Sequence, residues 1–153
     1  MDLRQAIADQ THVALSLAKH VSSIEANSTN LVFSPPSLLV ILSLIASGSS
    51  GPTREQVLSF LRSKSSDDLN KLSSELVAIV FADGSPAGGP KLSFANGLWV
   101  DQTLPLKPTF KQVVDDVYKA ASNQVDFLNK VSPPSLFSSF TTGWCLVALF
   151  VTV

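Results

Sequence analysis

Residues 38–46 read LLVILSLIA, apolar at every position except Ser43. Wound as a helix, such a run has no polar side to turn toward water and is expected to be buried all round. It is far shorter than the roughly 20 apolar residues needed to cross a bilayer, so the cover has to come from protein. Whatever fold this chain adopts must therefore lay other elements around one central helix. The ends of that helix are marked in the sequence. Ser34 stands where an N-cap belongs, Pro35 and Pro36 fill the first turn, where a fixed φ and a missing N–H are tolerated, and Gly48 supplies a stop. The triplet LVF at 31–33 suits a short buried strand leading into it.

The covering elements can be read on either side. Leu3, Ile7, Ala14, Ala18 and Val21 share one face of an amphipathic first helix, and the polar stretch EANSTN breaks it. Thr53 and Gln56 have the spacing of a capping box, with the Thr53 hydroxyl accepting from the Gln56 N–H, ahead of an apolar stripe at Val57, Leu58 and Leu61. Asp67 or Asp68 can cap a further helix in which Leu69, Leu72, Leu76 and Ile79 recur at helical spacing, with a stop near Gly84. After the turn cluster DGSPAGGP, residues 92–100 alternate as a strand with both faces partly buried. Pro108 opens a helix carrying Phe110, Val113, Val114 and Val117, and a short strand follows around Val125 and Phe127. The fold class is α+β, mostly helices with a few strands of an incomplete sheet.

At 153 residues the chain is one domain or part of one. Eleven basic and 12 acidic side chains give a net charge of -1, with no basic patch to hold nucleic acid. The lone Cys145 excludes an intramolecular disulfide and a cysteine-built metal site. His12 and His20 lie eight residues apart, about 12 Å along a helix, too far for one metal ion to bridge. GSSG at 48–51 lacks the spacing of a nucleophile elbow and follows a buried helix, and no phosphate-binding or dinucleotide fingerprint is present. Asp67–Asp68 and Asp115–Asp116 read as helical charges rather than acid–base pairs. Neither an enzyme nor a cofactor is expected. The N-terminal residues carry Asp2, Arg4 and Asp9 without a continuous apolar core, so the expected location is cytoplasmic, and the glycosylation pattern at Asn27 is expected to be idle.

The tail differs from everything before it. All the charged side chains lie in residues 1–130 and none in 131–153, where the earlier density would give roughly four. The pentapeptide SPPSL occurs at 34–38 and again at 132–136, but the flanks LVILSLIASG and FSSFTTGWCL share nothing, so the two copies are no internal repeat. Two accounts of the tail stand open: a membrane anchor through residues 136–153, and translation outside the frame or exon of the preceding domain.

The run NLVFSPPSLLVILSLIASGSSGPTREQVLSFL resembles the serpins in Asn30, Phe33, Ser34, Pro35, Ser37, Ala46, Gly48, Gly51, Thr53, Gln56 and Val57. FANGLWVDQTLPLKPTF with the later QVDF is similar to the first strand of that family's large sheet, its next helix and the strand after it, and the double proline is nearest to the plant members. The resemblance implies a serpin-like domain over 1–129, followed by a divergent tail over 130–153. It also implies an inhibitor of serine or cysteine proteases that works by inserting a cleaved reactive loop into its sheet, and it leaves an extracellular location open. Ser34 and Ser37 match serines of the shutter beneath that sheet, while capping and packing of the helix remain the alternative. Past QVDF nothing resembles the reactive loop or the receiving strands, so the expectation is a truncated, non-inhibitory member, partly folded or prone to associate through open strand edges, with a helical module that binds a full-length relative or another protein as the alternative.

Overall fold

A computed structural model describes residues 2–25, 34–89 and 93–126, and the backbone of 145–152. The chain forms two compact units, Met1–Val80 and Phe81–Val153. The boundary expected at 129/130 falls within the second of these units. The expected strand at 31–33, Asn27, Asn30, Phe33, Phe127 and the second SPPSL fall outside the described residues.

The first unit is helical: α1 (Leu3–Glu25), α2 (Pro35–Gly48), α3 (Gly51–Phe60) and α4 (Ser66–Glu75), the last running on into a π-helical turn, Leu76–Val80. Val13 of α1, Leu39 and Ala46 of α2, Leu61 after α3, and Leu69 and Leu72 of α4 form one buried cluster. The stripe of α1 that reaches this core is Ala6, Val13 and Leu17, not the face through Leu3 and Ile7, which are 43% and 52% exposed. Helix α1 carries two overlapping apolar stripes, and packing partners choose between them. Polar links tie the same elements: Gln10 Nε2 donates to the Leu61 carbonyl at 2.7 Å, and Ser47 Oγ donates to Asn70 Oδ1 at 2.6 Å.

Helix α2 departs from all-round burial. Leu39, Val40, Ser43, Leu44 and Ala46 are buried, yet Leu38, Ile41 and Leu42 are only half-buried and Ile45 is 37% exposed. The buried set follows one helical face, so composition overstated how many sides are covered.

The helix ends also differ from expectation in informative ways. Gly51, at φ +57, starts α3 ahead of Thr53, which places Thr53 inside the helix, and the N-cap Ser50 makes no side-chain cap bond. Helix α4 is capped by Ser65 rather than by an aspartate: its Oγ accepts from the Asp68 N–H at 3.1 Å and donates to Asp68 Oδ2 at 3.0 Å. Serine reaches the third N–H as well as aspartate does, and this leaves Asp67 and Asp68 in the first turn, where their charge complements the helix dipole. Helix α3 ends in a Schellman turn, with Ser63 N–H to Leu58 O at 2.9 Å, Arg62 N–H to Ser59 O at 3.1 Å, and Arg62 in the left-handed region at φ +52. The apolar stripe of α4 holds through Leu69, Leu72 and half-buried Leu76 but fails at Ile79, which is 68% exposed. The π turn beginning at Leu76 widens the spiral and rotates later residues off the face that a 3.6-residue period predicts.

Among the described residues the second unit contains a three-stranded sheet in the order β2-β1-β3, with β1 Ser93–Asp101, β2 Ala120–Val125 and β3 Cys145–Thr152. Strand β2 runs parallel to β1, pairing from Asn96↔Ala120 to Asp101↔Val125. A parallel pair needs a crossover, and residues 102–119, containing α5 (Pro108–Asp116), provide it. The turn out of β1 is set by Asp101, 1% exposed, whose Oδ1 accepts from the Thr103 N–H at 2.9 Å and the Thr103 hydroxyl at 2.6 Å. Helix α5 turns Val114 fully inward and leaves Phe110, Val113 and Val117 half-buried, as its sequence pattern predicts.

Strand β1 is buried on both faces: Asn96, Leu98 and Val100 on one, Gly97 and Asp101 on the other, where Trp99 is half-buried. Phe94 stacks on Phe81 with ring centroids 4.7 Å apart and planes 12° from parallel. The open edge expected for β1 is not found. Strand β3, drawn from the uncharged tail, pairs antiparallel along it from Ser93↔Thr152 to Val100↔Cys145.

Candidate functional site

Ser34 and Ser37, the serines singled out by sequence, meet at the amino end of α2. Ser34 has extended backbone at φ -112 and ψ 103, which leaves its side chain beside the first turn, and Pro35 follows at the first helical position. Ser34 Oγ accepts from the Ser37 hydroxyl at 2.8 Å and from the Ser37 N–H at 3.4 Å. The first bond is short and the second long, so the hydroxyl pair is the tighter link and the backbone cap the looser one. Ser34 is exposed and Ser37 half-buried. Among the described hydrogen bonds, none joins either hydroxyl to a histidine or carboxylate that could activate it as a nucleophile. The chemistry of this pair is that of a lock on a helix start.

The remaining candidates do not converge on one centre. His12 and His20 are both exposed on α1. Asp67 and Asp68 serve the first turn of α4, and Asp115 is paired at 2.7 Å with Lys111 one turn away on α5. No group of three or more potential metal ligands occurs among the described residues. Within the first unit, a half-open cavity of about 360 Å³ is lined almost wholly by apolar side chains, among them Val13, Leu17, Leu39, Leu42 and Leu72. Its lining offers shape and hydrophobic contact but no charge.

Two polar arrangements escaped the sequence reading. One is the Ser65–Asp68 cap of α4. The other is Asn96 in the middle of β1, buried, with Nδ2 donating to the Tyr118 carbonyl at 2.7 Å. A polar amide amid strand-forming apolar residues was the available signal, because a buried amide has to find a partner. Tyr118, itself fully buried, lies just before Lys119, whose φ of +48 makes the turn from α5 into β2. Asn96 thus ties the strand to that turn.

A family model described as Serpin (serine protease inhibitor) matches residues 8–135. This chain belongs to the serpin family. Among its relatives, Serpin-ZX of Arabidopsis thaliana is 55% identical over 130 residues, covering 85% of this chain and 33% of the relative. Serpin-Z1C of Triticum aestivum is 45% identical over 132 residues, 86% of this chain and 33% of the relative. Probable non-inhibitory serpin-Z5 of Arabidopsis thaliana is 40% identical over 134 residues, 85% and 31% respectively. The chain therefore spans about a third of the length of the curated serpins it matches. Among solved structures, Arabidopsis AtSerpin1 in its native stressed conformation superposes with a TM-score of 0.78 at 55% identity, covering 85% of this chain and 33% of that one. Reaction-loop-cleaved lamprey angiotensinogen superposes with a TM-score of 0.76 at 18% identity, covering 99% of this chain and 48% of that one. The second match is one of fold, and it takes in β3, which the family match over residues 8–135 does not reach. The α+β reading and the plant-serpin resemblance drawn from residues 30–57 and 94–127 hold. The membrane-anchor reading gains no support: among the described residues no helix is long and apolar enough to cross a membrane, and 145–152 form a strand in the sheet.

Proposed function

We propose that these 153 residues do not trap a protease by loop insertion, and that they act as a non-inhibitory serpin-family polypeptide. The observation that carries this reading is the sheet among the described residues, in a chain that spans about a third of the length of the serpins it matches. A mechanism driven by adding a strand to a large sheet needs both the strand and the sheet that receives it. Among the described residues the sheet has three strands. The neighbouring place on one side of β1 is taken by a strand from outside the family match. That one relative bears the name probable non-inhibitory serpin-Z5 is in keeping with a non-inhibitory member among plant serpins. In the same reading, the Ser34–Ser37 pair has the structural part of fixing the start of α2 under the family's shutter region.

The test is incubation of the purified chain with trypsin-like and chymotrypsin-like serine proteases and with a papain-like cysteine protease, followed by denaturing electrophoresis and residual-activity assays. Full protease activity and no denaturant-stable adduct are expected. A covalent protease complex at any ratio would overturn the proposal.

A further inference from the structure

We propose that the tail strand β3 is an edge guard acting within the chain: it occupies the side of β1 that a second copy of this protein would otherwise pair with. Strand β1 has nine residues, eight of which pair with β3 in an unbroken antiparallel register. On its other side β2 occupies Asn96 to Asp101. Removing β3 would leave a long, mostly buried strand with a free row of N–H and C=O groups, the kind of edge that adds strands from other molecules. Strand β3 is a hazard of the same sort, since CLVALFVT has neither charge nor proline and is rich in strand-forming residues. Protein edges are ordinarily guarded by lysines, prolines or bulges. Residues 145–152 carry none of the charges or prolines, and the protection comes from pairing the two hazards with each other.

The register supports this assignment. Residues directly opposite in an antiparallel pair share a face. Leu149, Val147 and Cys145 stand opposite Asn96, Leu98 and Val100, the buried positions of one face. On the other face Ala148 stands opposite Gly97, the position over which the Trp99 ring lies. The smallest residue of β3 is therefore in register with the one glycine of β1. A slip of two residues would set Leu146 or Phe150 there, and a slip of one would exchange the two faces. The superposition on cleaved angiotensinogen covers 99% of this chain, β3 included.

Hydrogen exchange of the 93–101 amides in the full-length chain tests the proposal. Two variants are compared with it: deletion of 131–153, and the double substitution Val147→Pro with Ala148→Pro. Adjacent N–H groups of a strand alternate in direction, so one of the two prolines removes a ladder donor. Both variants are expected to exchange β1 amides about tenfold faster or more. The deletion variant should regain protection as its own concentration rises, or on adding a lysine-flanked peptide of the 145–152 sequence, and the intact protein should not bind that peptide. Should the deletion variant fail to fold, the proline variant carries the test, with the helical signal of the first unit as its control. Unchanged β1 exchange in the proline variant, or equal peptide binding by the intact and deleted chains, overturns the proposal.

Discussion

Replacing Gly97 with alanine isolates one contact in the sheet. Gly97 is buried in β1, and its φ lies outside the left-handed region, so its backbone is one that any residue can adopt. What opposes a side chain there is the Trp99 ring. A methyl group would fall well inside van der Waals contact with Trp99 Cη2 and Cζ3, and 3.3 Å from Cε3. The ring must swing away or the strand must shift, and overpacking of this kind costs about 1–3 kcal/mol. Alanine offsets roughly 0.5–1 kcal/mol of that by losing less chain entropy than glycine. Trp99 is only half-buried and has somewhere to go, which favours the lower part of the range. The net expectation is a loss of about 0.5–1 kcal/mol. With a urea slope of about 2 kcal/mol per molar, the midpoint should fall by ~0.25–0.5 M. Urea unfolding followed by circular dichroism measures this, and the decisive step is a double-mutant cycle with Trp99→Leu. In the leucine background Gly97→Ala should be neutral or stabilising. Equal losses in both backgrounds would refute the claim that the ring is what keeps position 97 a glycine.

Ser34→Ala should cost about 0.5–1 kcal/mol, near the low end for an N-cap because its backbone bond is 3.4 Å long, whereas Ser37→Ala, which keeps that N–H, should cost under about 0.5 kcal/mol; thermal melts of the two variants distinguish them. Asn96→Leu removes a buried 2.7 Å hydrogen bond to the Tyr118 carbonyl and should cost about 1–3 kcal/mol, with faster hydrogen exchange in residues 118–121 as the local signature. Ser43 lies buried on α2 with a hydroxyl that has no hydrogen-bond partner among the described residues, so Ser43→Ala should hold stability or raise it by about 1 kcal/mol in the same melts.

Local rules made much of this protein legible from residues alone. The cap and double proline at Ser34–Pro36 fix where α2 starts, the alternation through 93–100 fixes β1, and Pro108 with its valines fixes α5, because each depends on contacts a few residues away. The family was legible too, since its motif around Phe33 to Val57 is local and ordered. Tertiary structure decided what periodicity leaves undetermined. It selected Val13 over Leu3 and Ile7 on α1, left Ile45 exposed on a helix whose composition asks for full burial, and turned Ile79 outward through a π turn. It also paired an uncharged tail with the edge of β1. Strand pairing is a long-range choice among edges that look alike in sequence, and side-chain burial depends on which neighbours arrive, so neither is encoded within the window that specifies a helix or a turn.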